Sequence, residues 1–386
     1  MMKTIEKDGF LIEINDDGDR KIIGLTKPIE TAVLTIPDDV TEIADKVFVS
    51  IHHIEKVILP KTLYKIGRYA FYSAKSLKEI NLDNVKEIGD CVFYFCDSLE
   101  KISLKCDKIG TGVFTLCKSL TEAEVDCEII RYPIFRGCFE LQKVVLKNTR
   151  ILGENVFIET KKLKEIVLPH GLEEIGDKAF SECGAEVLTI PKTVRHIGRN
   201  IADGIKEIHI YDNIESDIGL DNDISEGGYT LYVHSAESDE IKYVVPIVGY
   251  TAIFSSDIGK TDHEALVKMF KGGVNFDFKK FDSYFSRISD EYALEKFNAG
   301  ILRLKYGYEL DEEAHRMYEE QLARLAPLAM ELYIDNNKIE ELFDPVIYEC
   351  LSIEQTLSLI ELSARKNQTE LTAFLMQVCN EKGKGD

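Results

Sequence analysis

The chain has no excess of positive charge. Its 386 residues carry 47 lysines and arginines against 68 aspartates and glutamates, a formal charge of −21. Such a surface repels phosphate backbones and anionic membranes, which argues against nucleic acid as a partner. The acidity reads as a solubility device. Long apolar runs are missing too. The opening stretch MMKTIEKDGFLIEINDDGDRK has no signal-peptide core, so a cytoplasmic protein is expected unless a leader has been removed. The most apolar stretch, residues 244–254, is short and holds Pro246 and Gly249, so no membrane insertion is expected. Phosphate-binding loops, serine-nucleophile elbows, zinc-protease helices and C-x-x-C pairs are all absent from the sequence. No cofactor or metal is implied, and His52-His53 stands at a turn without ligand-spaced partners. The nine cysteines do not form the dense framework of a small secreted domain.

What the chain does have is a repeat. Phe48, Phe71, Phe93, Phe114, Phe135, Phe157 and Phe180 follow one another at 21 to 23 residues. Five residues before each stands an aliphatic: Ile43, Ile66, Ile88, Ile109, Ile130, Leu152 and Ile175. A glycine often follows it, and a degenerate copy runs through Ile197 and Gly198 with Ala202 in the Phe position. Each unit also holds L-x-x-φ-x-φ, as in Leu77, Ile80 and Leu82, whose alternation is a strand signal. One unit cannot bury its own apolar side chains, whereas stacked units can. The reading is a coil with about one strand per turn and strands about 4.8 Å apart.

Segments such as VILPKTLYKIGRYAFYSAKSLKEI and IVLPHGLEEIGDKAFSECG resemble the BspA-type leucine-rich repeat of bacterial proteins, over about residues 33–210. The resemblance implies a right-handed solenoid with a parallel sheet, an α/β repeat class, and a binding role without catalysis in the repeats. Solenoids need end caps. Phe10–Ile14, the Asp-Asp-Gly-Asp turn and residues 21–25 read as a β-hairpin cap within residues 1–32. Residues 229–233 and 242–254 read as closing strands of a solenoid spanning 33–254, with an acidic loop at 217–228 between them and the last repeat. From residue 258 to 386 the period turns helical, giving an all-α domain. Thr261–Glu264 and Ser352–Gln355 are capping boxes, and the 311–334 helix is expected to be interrupted at Pro327. The segment IELSARKNQTELTAFLMQ is similar to an ankyrin helix pair, without the ankyrin turn sequence; a bundle capping the solenoid reads equally well.

Cys96, Cys117, Cys138 and Cys183 each follow a ladder Phe by three residues, where other turns carry Ile51, Ala74 and Thr160. They read as buried, reduced packing residues. Cys106 and Cys127 form a second column, near enough on adjacent turns for a disulfide on distance alone, but all nine cysteines are expected as free thiols. On the outward strand face, Lys56, Glu79, Lys101, Glu122, Lys143 and Glu165 alternate in sign, so the column is expected to satisfy itself, with Lys101 between Glu79 and Glu122. The next outward column gives the candidate partner-binding residues: Ile58, Asn81, Ser103, Glu124, Val145, Val167 and His209, with Ile58, Val145 and Val167 as anchors. The leading expectation is a non-enzymatic scaffold for a protein partner, binding through this face or its junction with the helical domain, and monomeric by preference. One alternative is an enzyme with a site in the helical domain, where Asp277, Asp282 and Tyr284 are candidates. Another is an assembly protein whose solenoid edges pair between chains.

Overall fold

A constant period lets every stretch of one turn meet its equivalent on the next, and the computed structural model shows this on all sides of the coil. It describes residues 3–201, 204–215, 229–247, 276–286, 288, 290, 293–344, 346–349 and 351–383. The Ala202 position, the acidic loop, the end of the second closing strand and the Thr261 capping box lie outside these residues. The chain divides into two compact units, Met1–Asp223 and Ile224–Asp386.

The first unit is a parallel-strand solenoid of about nine turns. It opens with an antiparallel meander of β1 (Lys3–Lys7), β2 (Phe10–Ile14) and β3 (Arg20–Leu25), one strand more than the expected hairpin. Each turn then carries two strands rather than one. The longer ones, all of three to five residues except the two-residue β8, are β4 (Val33–Thr35), β6 (Lys56–Ile58), β8 (Glu79–Ile80), β10 (Lys101–Lys105), β12 (Glu122–Asp126), β14 (Lys143–Lys147), β16 (Glu165–Val167), β18 (Val187–Thr189) and β20 (Glu207–Tyr211). The others span two residues each: β5 (Glu42–Ile43), β7 (Lys65–Ile66), β9 (Glu87–Ile88), β11 (Lys108–Ile109), β13 (Ile129–Ile130), β15 (Ile151–Leu152), β17 (Glu174–Ile175) and β19 (His196–Ile197). A two-residue strand is too short to show alternation, but in-register neighbours still bond, as Gly67 N–H does to Ile43 C=O at 2.8 Å. The glycine that follows most of the aliphatics permits this closeness. A Cβ on Gly67 would sit 2.6 Å from the Asp45 nitrogen of the turn below.

The Phe column fills the core. All seven rings are fully buried, and successive rings stack at 5.1 to 6.0 Å between centroids. Cys96, Cys117 and Cys138 lie beside it, fully buried, with their sulfurs 3.0 to 3.3 Å from the carbonyls of Phe71, Phe93 and Phe114 on the preceding turn. Burial pushes the Cys138 thiol up to about 12 and raises Cys96 and Cys117 as well, so all three stay protonated and inert. The second cysteine column departs from expectation. Cys106 and Cys127 form a disulfide, with Cα atoms 5.3 Å apart on adjacent turns. Both are buried, in a column that other turns fill with Val40, Leu63, Val85, Thr149, Leu172 and Val194.

The second unit begins with an antiparallel hairpin, β21 (Tyr229–His234) and β22 (Ile241–Ile247). The helices are α1 (Phe278–Phe285), α2 (Ala293–Tyr306), α3 (Glu312–Asp335), α4 (Val346–Glu349), α5 (Ile353–Arg365) and α6 (Thr369–Lys382). The Ser352–Gln355 capping box starts α5. Helix α3 runs through Pro327 instead of stopping there. Buried Leu322, Leu325, Ala326, Ala329 and Met330 hold both sides of the proline in one core, which offsets the lost backbone bond.

Candidate functional site

The outward face of the longer strands carries the charge column and the candidate partner-binding column, and its geometry sorts them. The first column closes into pairs. Lys56 Nζ lies 2.6 Å from Glu79, Lys101 Nζ 2.9 Å from Glu122, and Lys143 pairs with Glu165. Lys101 bonds Glu122 alone, because Glu79 is taken by Lys56, whose ammonium holds the Glu79 carboxyl below its usual range. A second alternating ladder, not singled out in the sequence, runs along the two-residue strands. Lys65 and Lys108 flank Glu87 at 3.3 and 2.8 Å; farther along, in the column one residue before the strands, Arg150 bridges Glu128 and Glu173 at 2.8 and 3.0 Å. Its signal was present as Glu42, Lys65, Glu87 and Lys108 at repeat spacing.

The candidate partner-binding column is cut in two places. Strands β4, β6 and β8 form one sheet and β10, β12, β14 and β16 another, joined by the bridge Leu82–Leu104; β18 and β20 are neighbours in a further sheet. Register brings Ser103, Glu124, Val145 and Val167 onto successive strands of the middle sheet. Ile58 sits beside Thr35 on the first, and His209 beside Thr189 on the last. Two members are already occupied. The Asn81 amide donates to the Leu59 carbonyl at 3.0 Å and its oxygen accepts from the Leu59 N–H at 2.8 Å, standing in for a backbone bond where β8 has ended. Glu124 pairs with Lys147 at 2.7 Å. Val145 is half-buried, while Ile58 and Val167 are 42% and 43% exposed.

At the first cut the face opens into a depression of about 620 Å³, lined among others by Lys56, Ile58, Lys78, Glu79, Asn81 and Lys101. Lys56 and Glu79 of its lining pair with each other, Lys78 pairs with Glu55 at 2.9 Å, and Glu100, also in the lining, makes no ion pair among the described residues. Val187, 52% exposed, adds apolar surface farther along the strand face. Elsewhere on the coil Tyr69, Tyr72, Tyr94 and Phe95 form a half-buried aromatic cluster, with the Tyr72 and Tyr94 rings stacked at 5.5 Å. That cluster was missed, although the tyrosine following Phe71 and Phe93 was its signal.

Two of the three residues considered for an enzyme, Asp277 and Asp282, hold the fold together. Asp277 caps α1 by accepting from the Lys280 N–H at 3.1 Å. Asp282 is buried and receives Arg303 at 2.9 and 2.8 Å and the Tyr318 hydroxyl at 2.6 Å. Arg303 is fully buried and lies over the Phe278 ring at 4.4 Å. A buried charge so paired and hydrogen-bonded is a closed network with no lone pair aimed at a ligand. Tyr284 is half-buried. Among the described residues no group of three or more histidine, cysteine or carboxylate side chains is placed to hold a metal ion, and no helix is long and apolar enough to cross a membrane.

Comparison with known proteins gives one consistent answer for the repeats. The model of the BspA type leucine rich repeat region matches in six copies over residues 29–142 and 128–219. Among solved structures, a T. pallidum leucine-rich repeat protein is similar at 27% identity and a TM-score of 0.41, over 47% of this chain and 90% of its own. One from Bacteroides ovatus shares 24% identity at a TM-score of 0.40, over 55% of this chain and 64% of its own. A leucine-rich cell surface protein from Faecalibacterium prausnitzii shares 23% at 0.41, over 64% and 61%. The chain thus spans less than two thirds of the latter two. No curated protein matches it. Residues 29–219 of the chain are therefore a BspA-type leucine-rich repeat region.

Proposed function

We propose that the chain is a non-enzymatic scaffold that binds another protein across the outward face of its longer strands, with Ile58 as the central anchor. The observation that carries this reading is the depression at the first cut of the sheet, where an exposed isoleucine lies among charges of which Lys56, Lys78, Glu79 and Lys101 already have partners. A protein docking there removes apolar surface from water at about 25 cal/mol per Å² while the Lys56–Glu79 and Lys78–Glu55 pairs stay closed, and a cation on the partner would match Glu100. Val167 and Val187 extend the apolar contact, and the paired lysines and glutamates supply a polar rim. The structural employment of Asp277 and Asp282 supports a scaffold over an enzyme.

The test is capture by the full chain immobilised in three forms: wild type, Ile58→Lys, and Tyr132→Lys as an exposed control on another part of the coil. A partner bound by wild type and control should bind Ile58→Lys about 10- to 100-fold more weakly, as expected for a buried apolar anchor. Equal capture by all three forms would end the case for this face.

A further inference from the structure

The N-terminal end of the solenoid has two strand edges, and only one is protected. The sheet of two-residue strands ends at β1, whose sequence KTIEK presents Lys3, Glu6 and Lys7. The sheet of longer strands ends at β4, because the meander joins β5 and leaves β4 bonded to β6 alone. The direction of the free groups follows from two bonds. The Ala32 carbonyl accepts from Lys56 N–H at 3.2 Å, and Ile36 N–H donates to Ile58 C=O at 3.0 Å. Backbone polarity alternates along a strand, so Leu34 also faces β6, and the N–H and C=O groups of Val33 and Thr35 point outward. Among the described residues the one bond these groups make is from the Thr31 hydroxyl to the Val33 carbonyl, at 2.7 Å, which leaves that oxygen a second lone pair.

The side chains at this edge match its backbone. Residues 31–36 read TAVLTI, without a charge and rich in β-branched residues. At the position of Val33 the next six turns all carry charge: Lys56, Glu79, Lys101, Glu122, Lys143 and Glu165. Val33 is 43% exposed. An open, uncharged edge strand is a template for another strand, and proteins ordinarily block such edges with lysine, proline or a bulge.

We infer that β4 pairs antiparallel with β4 of a second copy of this chain, giving a two-fold dimer. An axis through Leu34 sets Val33 opposite Thr35 of the partner subunit. Those two residues then exchange both backbone bonds, each N–H meeting a C=O, and the symmetric pair does the same. Self-complementarity and lack of charge favour a second copy over a charged peptide. The strand is short, so the dimer is weak and appears only as concentration rises. It departs from the monomer expected from the sequence, and it stands independently of the partner site at Ile58, which lies on the face of the sheet.

Sedimentation velocity of the full chain at concentrations up to about 200 μM tests it. The wild type should move reversibly from the monomer mass towards twice that mass. Val33→Lys places a charge on the edge, and Thr35→Pro removes an outward N–H that β6 does not use, as proline at a free edge permits. Each should weaken dimerisation at least about tenfold with an unchanged melting temperature. Val187→Lys, on the same face but away from the edge, should dimerise like wild type. If Thr35→Pro fails to fold, Val33→Lys carries the test. A wild type that stays monomeric throughout, or a Val33→Lys protein that dimerises as well as wild type, overturns the inference; loss of dimer in Val187→Lys also overturns it, pointing to general stickiness of the face.

Discussion

Replacing Phe114 by alanine removes the middle ring of a seven-ring stack. The ring is fully buried, with Phe93 at 5.6 Å on one side and Phe135 at 5.7 Å on the other. Losing the transfer of a buried Phe side chain costs about 2 kcal/mol. The neighbouring turns are held at fixed spacing by backbone bonds on every side, including Phe93 N–H to Val113 C=O at 2.9 Å, so the gap cannot close. A residual void of about 80 Å³, at about 24 cal/mol per Å³, adds about 2 kcal/mol. The expected loss is therefore about 4 kcal/mol, to be read as a shift of the urea midpoint in circular dichroism with an unchanged slope. Phe139→Ala, at a ring 42% exposed, serves as control and should change stability by under about 0.5 kcal/mol. A loss below about 1 kcal/mol for Phe114→Ala would refute the argument, since it would require the stack to collapse around the missing ring.

Peptide mapping without reductant should recover Cys106 joined to Cys127, while Cys96, Cys117 and Cys138 should resist alkylation until the protein is denatured; free thiols at 106 and 127, or rapid labelling of Cys117, would contradict the structure. Arg303→Met should cost about 3–5 kcal/mol in thermal or chemical melts, because it leaves the Asp282 carboxylate buried without its cation, and Asp282→Asn combined with it should cost less than the two singly added. A loss under about 1 kcal/mol for Arg303→Met would show that the network opens to solvent.

The solenoid was legible because its signals repeat. Phe48 through Phe180 and the aliphatics five residues before them state the period, and every one of those phenylalanines is buried as the period requires. Ile109 is the one aliphatic of that set left half-buried. The two-residue strands escaped detection since pairs such as Glu42–Ile43 are shorter than any alternation; they exist only through register with the next turn. The same holds for β1, whose Lys3–Lys7 becomes a strand by pairing with β2. The disulfide was within geometric reach, but Cys106 and Cys127 sit where other turns place Val and Leu, so a packing role accounted equally well for the pair. Asp282 looked like a surface acid because its partners Arg303 and Tyr318 lie 21 and 36 residues away on other helices. Of the candidate binding column, exposure at Ile58 and Val167 followed from the outward register, whereas the cut in the sheet and the commitment of Asn81 to Leu59 had no counterpart in the local sequence.

The alternating ladders also make the array count in twos. The apolar columns are indifferent to how many turns are stacked, since any Phe can lie on any other. The charges are not. Excision of residues 101–121 would bring Glu79 against Glu122, like signs in contact. Excision of residues 101–142 would instead set Glu79 against Lys143, opposite signs again. Parity is thus imprinted on a surface whose individual ion pairs are worth little, and such an array lengthens or shortens with least conflict by two turns at a time.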